Sequence, residues 1–167
     1  MNLKPELKQK LQKAKAARLK QYNILSLDIA THCGWCTASA HGVWDFSLKR
    51  DESSGIRLLR FRHKVSELID LEKINIVSFE RTAGFHKSAL IVQAELHGVL
   101  KILLEDKGIV YRAFSASEIK KFATGKGNAN KQLMIKSAQD KLGYEGEDDN
   151  TADAMWIYQL TKTEYLK

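Results

Sequence analysis

Proline occurs once in the 167 residues, cysteine twice, and no stretch approaches the ~20 consecutive apolar residues of a membrane-spanning helix. Two cysteines cannot build a disulfide framework, which agrees with a reducing, cytoplasmic setting. Residues 1–23 lack the apolar middle of a signal peptide, which argues against secretion. Internal repeats are missing too, as is any sign of a second globular domain. What is present is an ordinary globular composition, 44% apolar, with enough chain for one domain and a proper core.

The formal charge of +7 is unevenly placed. Residues 1–23 carry seven basic side chains against one acidic, and residues 107–136 repeat that excess. Between them lies a nearly neutral body, and residues 137–153 form an acidic patch with one basic and six acidic groups. Two basic blocks suit a polyanion such as DNA, because neutralising phosphates releases condensed counterions. A solvated lysine face explains the same charges.

Residues 3–20 have helical spacing, with Leu3, Leu7, Leu11, Ala14 and Leu19 to one side, and read as a basic arm over 1–23. One domain over 24–167 follows. Strands are expected at 24–30, 34–39 and 43–48, with a turn at Ala40, His41 and Gly42. An amphipathic helix follows over 53–72, then a buried strand over 74–79. Residues 88–107 form a long helix that is apolar on most sides, so it is buried broadly or paired with a partner. A fifth strand spans 109–114, and Ser115 with Glu118 has the spacing of a capping box. Helices then cover 115–122, the stretch from 131 to 142, and 150–165, with a polar loop over 124–130. Three strands on short turns favour an antiparallel meander, whereas strands reached through helical crossovers favour parallel pairing. The expected fold is α/β, a mixed five-stranded sheet with helices on both faces.

Acidic residues at three places in the chain stand out against this pattern. Asp28 interrupts the apolar run Ile24-Leu25-Ser26-Leu27-Asp28-Ile29-Ala30, and Glu80 ends the strand over 74–79. A buried carboxylate costs several kcal/mol unless something compensates it. Asp149 and Asp153 are four apart and share a helix face, and core-type residues surround Asp153. Each has an ordinary explanation: a strand-end turn for Asp28, an ion pair with Arg81 for Glu80, a favourable helix dipole for Asp149. Together they set carboxylates at strand interior, strand end and helix start, where one site can collect them. Hard divalent cations take such oxygen ligands, and two of them ~4 Å apart serve phosphoryl displacement.

The same residues carry a resemblance. Leu27-Asp28-Ile29-Ala30-Thr31-His32-Cys33-Gly34-Trp35 resembles the first-strand motif of RuvC-like Holliday-junction resolvases. Phe79-Glu80-Arg81 is similar to the family's second acidic site, and residues 120–131, containing Thr124-Gly125-Lys126-Gly127, to its basic DNA-contacting stretch. Thr151-Ala152-Asp153-Ala154 matches its last acidic motif. The resemblance implies an RNase H-like fold and a homodimer that nicks opposed strands of a four-way DNA junction. It implies Mg²⁺ or Mn²⁺, two ions per site, on Asp28, Glu80, Asp149 and Asp153. Phe85 is implied to stack on bases, with Lys87, Lys120, Lys126 and Lys131 on DNA. One departure stands out: the family has Asp or His three residues before the final Asp, where this chain has Asn150. Either Asp149 or the Asn150 amide oxygen then completes the site.

Cys33-Gly34-Trp35-Cys36 invites a zinc or redox reading, but no second ligand pair completes a zinc site and no helix start follows. Packing in the first hairpin is the better account. Gly125-Lys126-Gly127 lacks Walker spacing. Rival functions are a nuclease of the same fold acting on RNA–DNA hybrids or other branched DNA, and an inactive DNA-binding module. An actin-like ATPase needs a second lobe for which the chain has no room.

Overall fold

The computed structural model describes residues 22–82 and 87–165, together with Glu6, Gln9 and Lys10. Those three are helical; the remainder of the helix expected over 3–20 lies outside the described residues, as does Phe85. The described elements are β1 (Ile24–Asp28), β2 (His32–Cys36), β3 (His41–Asp45), α1 (Ser54–Glu72) and β4 (Ile76–Glu80). They continue with α2 (Lys87–Lys107), β5 (Val110–Phe114), α3 (Ala116–Thr124), α4 (Lys131–Leu142) and α5 (Asp149–Tyr165).

The strands form one sheet in the order β3-β2-β1-β4-β5. β1 pairs antiparallel with β2, and β2 with β3, while β1–β4 and β4–β5 are parallel. This is the mixed sheet expected from the order of strands and crossovers. The first hairpin is shifted from its expected place, because its turn lies on Thr37–Ala40 and not on 40–42. The Thr37 N–H donates to the Ala40 carbonyl at 2.8 Å, and the Thr37 hydroxyl accepts from the N–H groups of Ser39 and Ala40. A threonine hydroxyl that satisfies the following amides starts a turn by itself. Gly42 is left within β3, opposite Trp35, whose indole ring would lie 3.3 Å from any Cβ placed there.

Side chains alternate across a strand, so each face of the sheet carries its own core. Leu25, Leu27, Val77 and Phe79 face Phe61, Val65 and Ile69 of α1 and Leu96, Leu100 and Leu104 of α2. Each such burial contributes about 1.5–3 kcal/mol. On the other face Cys36 and Phe114 join Ile119 and Ala123 of α3, Met134 and Ala138 of α4, and Trp156 and Ile157 of α5. Cys33 belongs to the first core and Cys36 to the second. The two thiols are free and buried, and burial first of all raises both, Cys36 to about 12. They are packing groups, as the sequence suggested.

The caps form where the sequence marks them. Ser115 and Glu118 make a complete capping box at the start of α3, with the Glu118 N–H on the Ser115 hydroxyl at 3.2 Å. Asn130 caps α4 by accepting from the Leu133 N–H at 2.9 Å.

Candidate active site

Asp28 and Glu80 are the last residues of β1 and β4, neighbouring parallel strands, so both carboxylates emerge at the same end of the sheet. Ser26 and Ser78 precede them by two residues, are directly paired across the ladder, and are fully buried. Alternation puts these serines on the carboxylates' face, and their small side chains leave room for a helix to lie close. α5 is that helix. The Ser26 hydroxyl donates to the Ala154 carbonyl at 2.7 Å, and the Thr161 hydroxyl is hydrogen-bonded to that of Ser78 at 2.6 Å. Two buried polar bolts thus fix α5 along β1 and β4, with Asp153 beside the first of them.

The start of α5 is set by Asp148. Its carboxylate accepts from the Thr151 N–H at 2.6 Å and from the Asn150 side-chain amide at 3.2 Å. Burial opposes its charge, but the hydrogen bonds from Thr151 and Asn150 prevail and hold it below the usual carboxylate range. With Asp148 as cap, Asp149 opens the helix, and Asp149 and Asp153 lie one turn apart on a shared face.

The electrostatics report how these groups crowd. Burial raises Asp28 well above the ordinary carboxylate range, and the charges of Asp153, Glu80, Asp149 and Asp148 raise it further. Asp153 is lifted to about 7, first by burial and then by Glu80 and Asp149, with Lys120 and Lys131 pulling the other way. Burial also raises Glu80, against the attraction of Lys120. The Asp153 Oδ1 is buried with no hydrogen-bond partner among the described residues. Lys131 forms an ion pair with Asp149, and that contact raises the lysine.

Four mutually repelling carboxylates with an orphaned buried oxygen are a donor set suited to a hard divalent cation. Among the described residues no three histidine, cysteine, aspartate or glutamate side chains stand close enough to hold a metal ion as they are, so an ion would have to draw these carboxylates together. The ammonium of Lys131 supplies countercharge at Asp149.

Of the predicted DNA-contacting residues, Lys120 and Lys131 stand within electrostatic reach of these carboxylates. Lys126 is exposed on the loop between α3 and α4, and Lys87 is exposed at the first residue of α2. Residue periodicity did not single out Ser26, Ser78 or Thr161, although a serine two residues before each strand carboxylate is a readable signal. It also missed His97. That buried ring lies between the carbonyls of Gln93 (Nδ1, 2.7 Å) and Glu80 (Nε2, 2.9 Å) and so ties α2 to the end of β4.

The family model for crossover junction endodeoxyribonuclease RuvC matches residues 35–158. The chain belongs to the RuvC family. The match begins after Asp28, so the first carboxylate rests on the strand geometry above. Among curated relatives, a RuvC of Brachyspira hyodysenteriae is 34% identical over 96 residues, 56% of this chain and 59% of that protein. One from Gloeobacter violaceus is 27% identical over 103 residues, 60% of each chain. These alignments span about three fifths of the relatives' length. Among solved structures, Thermus thermophilus RuvC superposes with a TM-score of 0.67 at 18% identity, covering 84% of this chain and 96% of that one. The yeast mitochondrial Holliday junction resolvase Ydc2 gives 0.64 at 12% identity, covering 87% and 80%. Both show the shared RNase H-like fold.

Proposed function

We propose that this chain is a metal-dependent, structure-selective endonuclease that hydrolyses phosphodiester bonds in four-way or branched DNA. The observation that carries the reading is the meeting of Asp28, Glu80 and the Asp149–Asp153 face of α5 at one end of the sheet, in a RuvC-family chain. A T. thermophilus RuvC structure of the same fold, with TM-score 0.67, is described as a complex with Holliday junction substrate. Asp28, Glu80, Asp149 and Asp153 would hold Mg²⁺ or Mn²⁺, two ions per site. Asp149 is the fourth ligand in this reading, because it shares a helix face with Asp153 and its charge acts on both Asp28 and Asp153.

Divalent ions held by these carboxylates would supply water activation and charge stabilisation at the leaving oxygen. The chain's own residues do the positioning. Ser26 and Thr161 keep α5 seated so that Asp153 stays beside Asp28. Lys120 and Lys131 meet the phosphate backbone, and Lys126, Lys87 and Phe85 extend that contact to the flanking DNA, Phe85 by stacking on bases.

The working unit in this reading is a homodimer, whose two-fold symmetry suits two opposed nicks. Its support is α2, where Leu90, Ile91 and Ile102 are 37%, 51% and 62% exposed although the opposite side of the helix is buried in the core. The free cysteines suit a cytoplasmic site of action, and no helix among the described residues is long and apolar enough to cross a membrane.

The test is incubation of purified protein with labelled four-way junction, RNA–DNA hybrid and linear duplex, in Mg²⁺ or EDTA. Cleavage of the junction alone, in Mg²⁺ alone, is expected. Equal cleavage of the hybrid assigns a different substrate, and binding without cleavage marks an inactive module. Sedimentation that finds a monomer at micromolar concentration, with and without junction, counts against the dimer.

A further inference from the structure

Beside the carboxylates the surface opens into a hollow of about 490 Å³. Thr31 lines it from the turn between β1 and β2, His32 from the start of β2, Ser88 and Gln93 from α2, and Lys131 and Asn150 from the starts of α4 and α5. Among the described residues no carboxylate lines it, although Asp149 is ion-paired to its Lys131 and Asp28 lies just before its turn. The two surfaces are chemically opposite. The acidic one calls for cations, whereas the hollow offers hydroxyl, amide, imidazole and ammonium groups, all of which can donate hydrogen bonds.

His32 is placed by the first hairpin. It is the first residue of β2 and pairs across the ladder with Asp45, the last residue of β3. Its Nε2 lies 3.5 Å from Asp45 Oδ1, and Asp45 is itself fixed by the Ser47 N–H at 2.8 Å on the same oxygen. The turn behind the ring is anchored by the Phe46 N–H, which donates to the Thr31 carbonyl at 2.8 Å. One ring nitrogen is therefore turned to a carboxylate while the ring as a whole stays 60% exposed at the hollow. With Nε2 turned to Asp45, a phosphate on the ring's other side would meet Nδ1.

We propose that His32, oriented by Asp45, contacts a backbone phosphate of the DNA strand that enters the acidic site, with Lys131 serving the same strand. The inference rests on the nuclease reading and adds to it a residue that grips substrate without holding metal. It also explains why a histidine paired to a carboxylate stands at an exposed strand end, where an isolated ion pair contributes little to stability.

The experiment is a coupling cycle. Binding of a four-way junction to the full chain is measured in EDTA, with neutral methylphosphonates placed one at a time along one strand. His32→Ala is expected to weaken binding of the unmodified junction about ten-fold. At one position the methylphosphonate should cost the wild type a similar factor and the His32→Ala protein almost nothing, and His32→Arg should restore the contact. Asp45→Asn should fall between. The exposed ring makes unfolding avoidable, and an unchanged thermal midpoint checks it. If His32→Ala loses affinity at every substituted phosphate by the same factors as the wild type, the inference is wrong and the nuclease reading stands. If the wild type binds no junction at all, the nuclease reading fails and takes this contact with it.

Discussion

A Cβ on Gly34 would stand 1.9 Å from the carbonyl oxygen of Asn150. Gly34 is paired with Asp28 across the β1–β2 ladder, so the first turn of α5 rests on the sheet directly beside the first carboxylate. That approach is possible only without a side chain, and both groups in contact are backbone, which cannot swing aside. Gly34→Ala should therefore lift the start of α5 and carry Asp149 and Asp153 away from Asp28. Cleavage should fall by about 10² or more, since ångström-scale misplacement has effects of that size. The Mg²⁺ concentration for half-maximal cleavage should rise in parallel. Normal metal dependence in a folded Gly34→Ala protein would show that the contact does not set the site.

Asp28→Asn, Glu80→Asn and Asp153→Asn should each abolish cleavage while junction binding in EDTA persists. For the two aspartates the change keeps the shape of the side chain and removes its charge. Asp149→Ala and Asn150→Ala, assayed side by side, separate the two candidates for the fourth ligand. The aspartate variant should lose the larger share of cleavage and of metal affinity, and the reverse ranking would move the ligand to Asn150.

The raised carboxyls make stability depend on pH in the absence of metal. Asp153 at about 7 and the raised Asp28 bind protons more tightly in the folded chain than in the unfolded one. The stability that this protonation provides is present below the unfolded value of about 4 and is lost as pH rises toward 7. In EDTA the thermal midpoint should thus be higher at pH 5 than at pH 8, by a difference on the order of a few kcal/mol in stability. Mg²⁺ binds the ionised groups and should restore the midpoint at pH 8. Asp153→Asn should shrink both effects, and a pH-independent midpoint in that range would contradict the crowding of charge.

Replacing Lys120, Lys126 and Lys131 with Gln should lower binding and cleavage together. The slope of log binding constant against log salt should flatten by about 0.9 for each lost phosphate contact. Deleting residues 1–23, with their seven basic side chains, should weaken junction and linear DNA alike and leave the cut positions unchanged. Loss of junction preference with linear binding spared would instead make that segment a recognition element.

Local pattern was enough for much of this molecule. Short apolar runs between turns, caps such as Ser115 with Glu118, and the crossover rule led to the mixed sheet, because each reads only neighbouring residues and backbone chirality. Asp28 and Glu80 were visible because a charge inside an apolar strand contradicts its surroundings. The hairpin turn was misplaced because Gly42 looks like a turn residue locally, while Trp35 across the ladder decides its role. The seating of α5 was not legible in this way. Ser26 and Ala154 are 128 residues apart in sequence, and Ser78 and Thr161 are 83 apart. Their meaning as bolts exists only once β1 and β4 are paired and the helix has crossed them. The same holds for Asp153: its neighbours in sequence are apolar, yet the groups that lift it to about 7 include Glu80 and Asp149. Sequence sets which groups can bear charge, but the fold sets the distances and desolvation that give those charges an energy.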